Sequence, residues 1–411
     1  MNKNFKVTIC ILLLAACISG CSNADQSSVG TADEQSSGIK IQKIAPKAAG
    51  NPSESVTDDK INDKNLISIN QCDIHVGNIV YGSNEVVPEY YIVYQGNRLK
   101  PETDYTITFE NQNEIGQYTA EITMLGKYSG SLKKTYYICP KGTTVYQADS
   151  KVSSITAAWD EQSENTDGYE LEYAGSPDFS DYHTIIFSHN DDRSFLFEDL
   201  PQNTVIYTRI RTFKNVNGTK IYSELSKTEA MSTRKVEVID GVTYIDGILI
   251  ANKTYSLPQS YGDGEDPEAV AAFYEMSDAA AADGLSLYIV SGYRSYDLQN
   301  YIYHNFCAER GQESADRVSA RPGHSEHQSG LAFDINSTSF SFSDTPEAKW
   351  IAENCYQYGF ILRYPENKED ITGYTYESWH VRYLGKEIAA EVHESGLTLE
   401  EYLGITSKYE E

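Results

Sequence analysis

His327 stands seven residues before Asp334, in Ser325-Glu326-His327-Gln328-Ser329-Gly330-Leu331-Ala332-Phe333-Asp334. Leu331 to Ile335 alternates as a strand, so Leu331, Phe333 and Ile335 share one face and Asp334 takes the other. A carboxylate inside an apolar strand needs a partner, because burying it unpaired is strongly unfavourable, and a cation is one such partner. Further on, Glu377-Ser378-Trp379-His380 heads a second strand, Trp379 to Leu384, in which His380 and Arg382 alternate with aromatic and apolar neighbours. Two His and one Asp form a three-ligand set suited to catalytic zinc, with the fourth position left for water. Glu377, three residues before a candidate ligand, is placed to take a proton from that water. Spacing alone is weak evidence. An isolated His-x6-Asp reads at least as well as a hydrogen-bonded pair, and no His-Glu-x-x-His helix supports a metal.

The elements that must position these groups begin near residue 235, where the pattern turns to mixed α and β. Val236 to Ile250 reads as a strand pair with a turn at Asp246-Gly247. Asp266-Pro267-Glu268 starts a helix, with Asp as N-cap and Pro in the first turn. Ala269, Val270, Phe273, Met276 and Ala280 recur at helical spacing, and Gly284 ends the element. Leu285 to Val290 reads as a strand and Ser291 to Ser295 as the turn after it. A second helix is expected from Tyr296 to Arg310, and a third from Pro346 to a stop at Gly359.

The motifs occur in one order. Ser291-Gly292-Tyr293-Arg294-Ser295 with Gln299 comes first, then Ser319-Ala320-Arg321-Pro322-Gly323-His324-Ser325-Glu326-His327 and Gly330 to Asp334. Tyr358-Gly359-Phe360, Arg363-Tyr364-Pro365, Thr372-Gly373-Tyr374 and Glu377-Ser378-Trp379-His380 follow. From about Val238 to Gly385 this set closely resembles the VanY-type D-alanyl-D-alanine carboxypeptidase family. The resemblance implies that His327, Asp334 and His380 hold zinc (Zn2+). It also implies that Glu377 is the catalytic base and that Arg294 stabilises the tetrahedral oxyanion, a role that suits a fixed guanidinium. Ser319 and Arg321 become candidates for holding substrate, through its terminal carboxylate, and Gln299 for fixing its backbone. For Arg321 a loop-bracing salt bridge is an equal reading. Departures are small: Ser378 stands where Pro is frequent, Val381 where an aromatic is, and Ser329 where Thr is. His324 reads as structural or solvent-facing, and His304 and His393 as helix-surface residues.

The 411 residues together carry 60 acidic against 33 basic side chains, a net charge of −27. That excludes the basic footprint of a nucleic-acid binder and any charge-driven hold on anionic lipid. Lys3 and Lys6 precede a short apolar run, and Ile18-Ser19-Gly20-Cys21 resembles a bacterial lipobox. A signal peptide (1–20), a lipidated Cys21 and a polar tether (to 63) are therefore expected. Residues 64–140 alternate in short runs broken by Gly and Asn, and the stretch from Gly116 to Gly130 resembles immunoglobulin-like repeats of Gram-positive surface proteins. Residues 141–234 resemble a fibronectin type III module, with Trp159 and Tyr207 expected to face inward and Leu200-Pro201 before the Tyr207 strand. Export permits bridges between Cys72 and Cys139 or Cys307 and Cys355; buried free thiols are the other reading.

The expected architecture is multidomain: two all-β sandwich modules as spacers, then an α+β zinc peptidase domain (235–411) with a small antiparallel sheet and flanking helices. The expected activity is removal of C-terminal D-alanine from peptidoglycan stem peptides, from D-Ala-D-Ala (DD) or L-linked (LD) termini. An endopeptidase with the same metal site and a catalytically silent wall-binding protein are the alternatives. The expected place is the outer face of the membrane, lipid-anchored and reaching into the wall, with contact between the β modules and wall polymer conceivable.

Overall fold

The computed structural model describes residues 66–410 apart from 86, 111, 112 and 163. The expected signal peptide, Cys21 and tether lie outside the described residues. None of the described helices is long and apolar enough to cross a membrane.

Residues 67–139 form β structure apart from one 3-10 turn, Ile69–Gln71. The strands Ile79–Val80, Ser131–Cys139, Gly116–Met124 and Tyr105–Phe109 make one four-stranded sheet, and Asp73–Val76, Tyr90–Tyr94 and Asn97–Arg98 a three-stranded one. Residues 145–232 add a three-stranded and a five-stranded sheet. Trp159 is fully buried in the core between them, against Tyr169 and Phe187, and its indole N–H donates to the Asp192 carbonyl at 2.9 Å. The Tyr207 expectation is corrected. On the strand Val205–Val216 the buried positions are Ile206, Thr208 and Ile210, so Tyr207 is half-buried on the opposite face. The strand is offset by one residue from the expected pattern, and one residue reverses every side chain. All four described cysteines are free. Burial pushes the Cys355 thiol up to about 12 and the Cys139 thiol up to about 11.

The segments pack in series. Ile221 joins the core formed by Ile79, Tyr136 and Ile138. At the next joint Val152 packs with Ile245, Leu399 and Leu403, and its N–H donates to the Leu403 carbonyl at 3.1 Å. Asn203 exchanges two hydrogen bonds with the backbone of Val236.

Beyond residue 235 the structure is α+β. The lead-in is three antiparallel strands rather than two: Val236–Ile239, Val242–Ile245 and Ile248–Ile250. The additional turn is Asp240-Gly241, where both residues adopt positive φ. Helix α1 (Pro267–Ala282) begins where its cap requires, Asp266 Oδ1 accepting from the N–H groups of Glu268 and Ala269. Helix α2 (Tyr296–Arg310) has the expected limits, with Ser295 as N-cap. The third helix is α-helical over Pro346–Asn354 and tightens to 3-10 over Cys355–Tyr358 before Gly359. The strand expected from Leu285 is only Ile289–Ser291. Before it, Tyr288 is held by Asn336, whose side chain accepts from the Tyr288 N–H and whose own N–H donates back.

The central sheet is antiparallel, in the order Ile289–Ser291, Ala332–Ile335, Glu377–Tyr383, Phe360–Tyr364. One face packs Phe333, Ile335 and Val381 against Phe273 and Met276 of α1 and Ile351 of the third helix. The other face is polar and buried. There Glu326 accepts from Arg363 Nε at 2.8 Å and from Arg382 at 2.9 Å, while Arg363 also donates to both oxygens of Glu400 on the short helix Leu399–Leu403. Burial opposes the charge on Glu326, yet the two guanidiniums hold its carboxyl well below the usual range. Two acids and two bases thus neutralise one another out of water. Removing one member strands its partner, which costs about 3–5 kcal/mol. Glu400→Ala should lower the unfolding free energy of the C-terminal segment by that amount. Denaturant titration followed by tryptophan fluorescence checks this, and an unchanged midpoint would contradict it.

Candidate active site

Register brings the chemistry together. Asp334 pairs with His380 across the sheet, Ser291 pairs with Asp334 on its other side, and Glu377 lies opposite Tyr364. His327 reaches them from the 3-10 turn Glu326–Ser329, which stops at Gly330 in the left-handed region (φ 74°). A Cβ at Gly330 would stand 2.3 Å from the Gly264 carbonyl oxygen, so only glycine lets the chain leave the turn there.

His327, Asp334 and His380 are all buried, and one donor atom of each lies within 4.8 Å of the others. Their orientation is fixed from behind. His327 Nδ1 is 2.8 Å from the Gly292 carbonyl, which turns Nε2 toward Asp334 Oδ2 at 3.3 Å. His380 Nε2 is 3.4 Å from Glu326 Oε2, which turns Nδ1 toward Asp334 Oδ1 at 3.3 Å and Glu377 Oε2 at 3.7 Å. Asp334 Oδ1 has no hydrogen-bond partner although it is buried. A buried carboxylate whose two oxygens each lie 3.3 Å from an imidazole nitrogen, with Oδ1 making no hydrogen bond and the far sides of the rings held by a carbonyl and a carboxylate, fits a divalent cation of the zinc type.

The titrations agree with that reading. Burial pushes Glu377 up to about 7, Asp334 adding to the rise while His380 and Arg294 oppose it. Burial favours neutral His327. Burial also opposes protonation of His380, but Asp334, Glu326 and Glu377 together raise it to about 9 in the metal-free chain. A cation approaching Nδ1 therefore competes with a proton for His380.

Arg294 is nearly buried. It donates to Ser291 Oγ and Gln299 Oε1, each at 2.9 Å, and lies 3.5 Å from Asp334 Oδ2. Gln299 is fully buried, its NH2 donating to Ser319 Oγ at 3.2 Å and the Ala320 carbonyl at 2.6 Å. Its amide is thus engaged by protein groups, and it braces Arg294 against the Ser319 loop. Ser319 lines the cavity. Arg321 does not: it forms a two-point ion pair with Asp316 at 2.9 and 3.1 Å and stacks on Tyr409, the loop-bracing alternative. His324 donates to or accepts from nothing in the cavity; its Nδ1 is 2.8 Å from the Asn252 carbonyl. His304 and His393 lie on helix surfaces, the latter stacked on Tyr356. Glu326 escaped the sequence reading as a site residue. The signal was present in Arg382, a second charge on the same strand face as His380, which demanded a buried acid.

These groups open into a cavity of about 380 Å³, walled by Ile302 and Phe306 of α2, Phe340, Tyr364 and Trp379. Acid, base, guanidinium and metal donors around one such space can hydrolyse an acyl bond.

Residues 264–386 match the family described as VanY, D-alanyl-D-alanine carboxypeptidase. The carboxypeptidase-named YodJ of Bacillus subtilis (strain 168) is 42% identical over 195 residues, 41% of this chain and 71% of that protein. A D-alanyl-D-alanine carboxypeptidase of Enterococcus faecium is 42% identical over 137 residues, 33% of this chain and 43% of that protein. The crystal structure of an L,D-carboxypeptidase, DacB from Streptococcus pneumoniae, is 39% identical, covers 43% of this chain and 99% of its own, and superposes with a TM-score of 0.39. The chain belongs to the VanY D-alanyl-D-alanine carboxypeptidase family, through its C-terminal segment.

Two outcomes follow from the geometry. Glu326→Gln keeps the shape but weakens the hold on His380, so zinc affinity should fall 10–100-fold in chelator competition. Because the raised His380 proton must leave for a cation to bind, zinc affinity should climb with pH up to about 9. Calorimetry at pH 7 in two buffers of different ionisation enthalpy should read at least one proton released per zinc; no release would contradict it.

Proposed function

We propose that the C-terminal segment is a zinc carboxypeptidase that removes C-terminal D-alanine from peptidoglycan stem peptides. The observation that carries the reading is the buried Asp334 carboxylate, whose two oxygens face His327 and His380 and whose Oδ1 makes no hydrogen bond, with Glu377 raised to about 7 beside them. Membership of the VanY family and the names of its relatives support the substrate class.

His327 Nε2, Asp334 and His380 Nδ1 are the ligands in this reading. Zinc, when bound, supplies a Lewis acid that polarises the scissile carbonyl and acidifies water. Glu377, poised near neutrality, takes the proton from the attacking water and returns it to the leaving amine. The Arg294 guanidinium, locked by Ser291 and Gln299, faces the charge that develops on the carbonyl oxygen and needs no reorganisation to meet it. Ser319, at the Gln299 end, contacts the leaving residue. Arg321 positions the loop through Asp316. DD and LD termini both end in D-alanine and offer the same carboxylate, so the site admits both in principle.

The β segments act as spacers in this reading, an immunoglobulin-like module and then a fibronectin type III-like sandwich built around Trp159. The lipobox-like Ile18-Ser19-Gly20-Cys21 supports export and a lipid anchor on the outer membrane face.

Glu377→Ala should retain zinc yet release D-alanine about 10²–10⁴-fold more slowly. Mass spectrometry of pentapeptide and tetrapeptide muropeptides incubated with zinc-loaded wild type and variant checks this and reads DD against LD. Equal release by both proteins would end the proposed role of Glu377.

A further inference from the structure

Helix α2 walls the active-site cavity from Ile302 to Arg310. Gln299, Ile302, Phe306 and Arg310 recur at spacings of three and four, which sets them on one face, and the last three line the cavity. Gln299 is the inner end, gripping Arg294 and Ser319. Arg310 is the outer end, roughly 16 Å further along the helix axis at 1.5 Å per residue. It is exposed, and its guanidinium lies 4.8 Å from the centre of the Phe306 ring.

Its charge is the unusual feature. The ten other arginines each lie within 4.0 Å of an Asp or Glu oxygen. Arg310 has no such partner among the described residues, in a chain of net charge −27. A basic residue in the last turn of a helix has an ordinary role beside the helix dipole. That role does not require it to line the catalytic cavity or to rest on an aromatic ring at the cavity mouth.

We propose that Arg310 is a specificity-determining residue that reads a free carboxylate on the retained, acyl side of the scissile bond. The inference rests on the carboxypeptidase reading above. A carboxypeptidase releases one residue, and the inner end of the wall, at Arg294, Gln299 and Ser319, suffices for it. The remaining length of α2 therefore faces the part of the peptide that stays. An extended chain advances about 3.3–3.6 Å per residue, and an arginine side chain reaches back by roughly 6 Å. The carboxylate read by Arg310 thus belongs to a residue roughly two to four positions before the scissile bond. Ile302 and Phe306 cover the apolar stretch between. The planar guanidinium can grip a carboxylate at two points while it stays on the ring. Because Arg310 is exposed, the contribution is modest and sensitive to salt.

The test uses the full zinc-loaded chain and two stem tetrapeptides that differ at one group, the glutamyl carboxylate being free in one and a carboxamide in the other. Release of D-alanine gives kcat and KM for each. The acid should be preferred by about tenfold in kcat/KM, through KM, and the preference should shrink in roughly 0.5 M KCl. Arg310→Gln should bring the acid-to-amide ratio to about one, and Arg310→Lys should restore part of it. Equal use of the two peptides by wild type, or a ratio that survives Arg310→Gln because both peptides slow alike, would overturn the inference and leave the carboxypeptidase reading standing. Failure of the zinc-loaded wild type to release D-alanine from either peptide, or from the pentapeptide, would overturn the carboxypeptidase reading itself.

Discussion

The carboxylate of Glu326 is the contact on which the rest of the site depends. It lies on the 3-10 turn that carries His327, and it is held by Arg363 from one edge strand and Arg382 from its neighbour. Its second oxygen faces His380 Nε2. Three elements are thereby referred to one buried charge. An isolated carboxylate at such depth would take up a proton instead of ionising. Here two guanidiniums outweigh the burial, and Glu400 supplies the second negative charge that balances them. Such a network contributes little net stability compared with apolar packing, because desolvation offsets most of the attraction. What it supplies is orientation. With Nε2 of His380 taken from behind, only Nδ1 is left to face Asp334.

The second constraint is the alternation of the sheet. Trp379 and Val381 go into the core with Phe273, Met276 and Phe333, while His380 and Arg382 take the other face. A single register fixes both sides at once. A slip of one residue would place His380 and Arg382 in the apolar core and the core residues on the polar face. Around this sheet a chain of polar contacts fixes the cation opposite: Ser319 and Ala320 hold Gln299, Gln299 and Ser291 hold Arg294, and Arg294 faces Asp334. None of these contacts waits for substrate, so the positive charge stands in place before the reaction begins.

The parts of the C-terminal segment legible in its sequence are those with local causes. Asp266-Pro267 and Ser295 cap their helices through neighbouring N–H groups, and both starts were readable from adjacent residues. Asp334 and His380 stood out because strand alternation isolates a charge, and His327 through the motif set that resembles the family. The illegible parts depend on distant partners. The pairing of Arg321 with Asp316 and Tyr409 depends on a residue 88 positions away, so the bracing contacts are not legible locally. Gln299 looked available until Arg294 and the Ser319 loop were seen to use its whole amide. Tyr207 went wrong for a different reason. A strand of Val-Ile-Tyr-Thr-Arg-Ile offers large side chains on both faces, so size does not tell which face is buried.

The short helix Leu399–Leu403 connects the site to the β structure before it. Its Glu400 closes the charge network through Arg363, while Leu399 and Leu403 pack with Val152 and Ile245. The Leu403 carbonyl accepts the Val152 N–H, and Lys151 packs against Gly404 at the same joint. One element therefore serves two purposes, with its polar side turned to the buried polar face of the sheet and its apolar side turned to the preceding β segment. A chain that began at residue 235 would lose Val152 and leave part of that apolar side to water. The helix would then be held mainly by its charges, the less favourable half of the arrangement. The β segment 145–232 is thus a packing partner of the element that completes the site, and it belongs to the folded unit whatever else it touches.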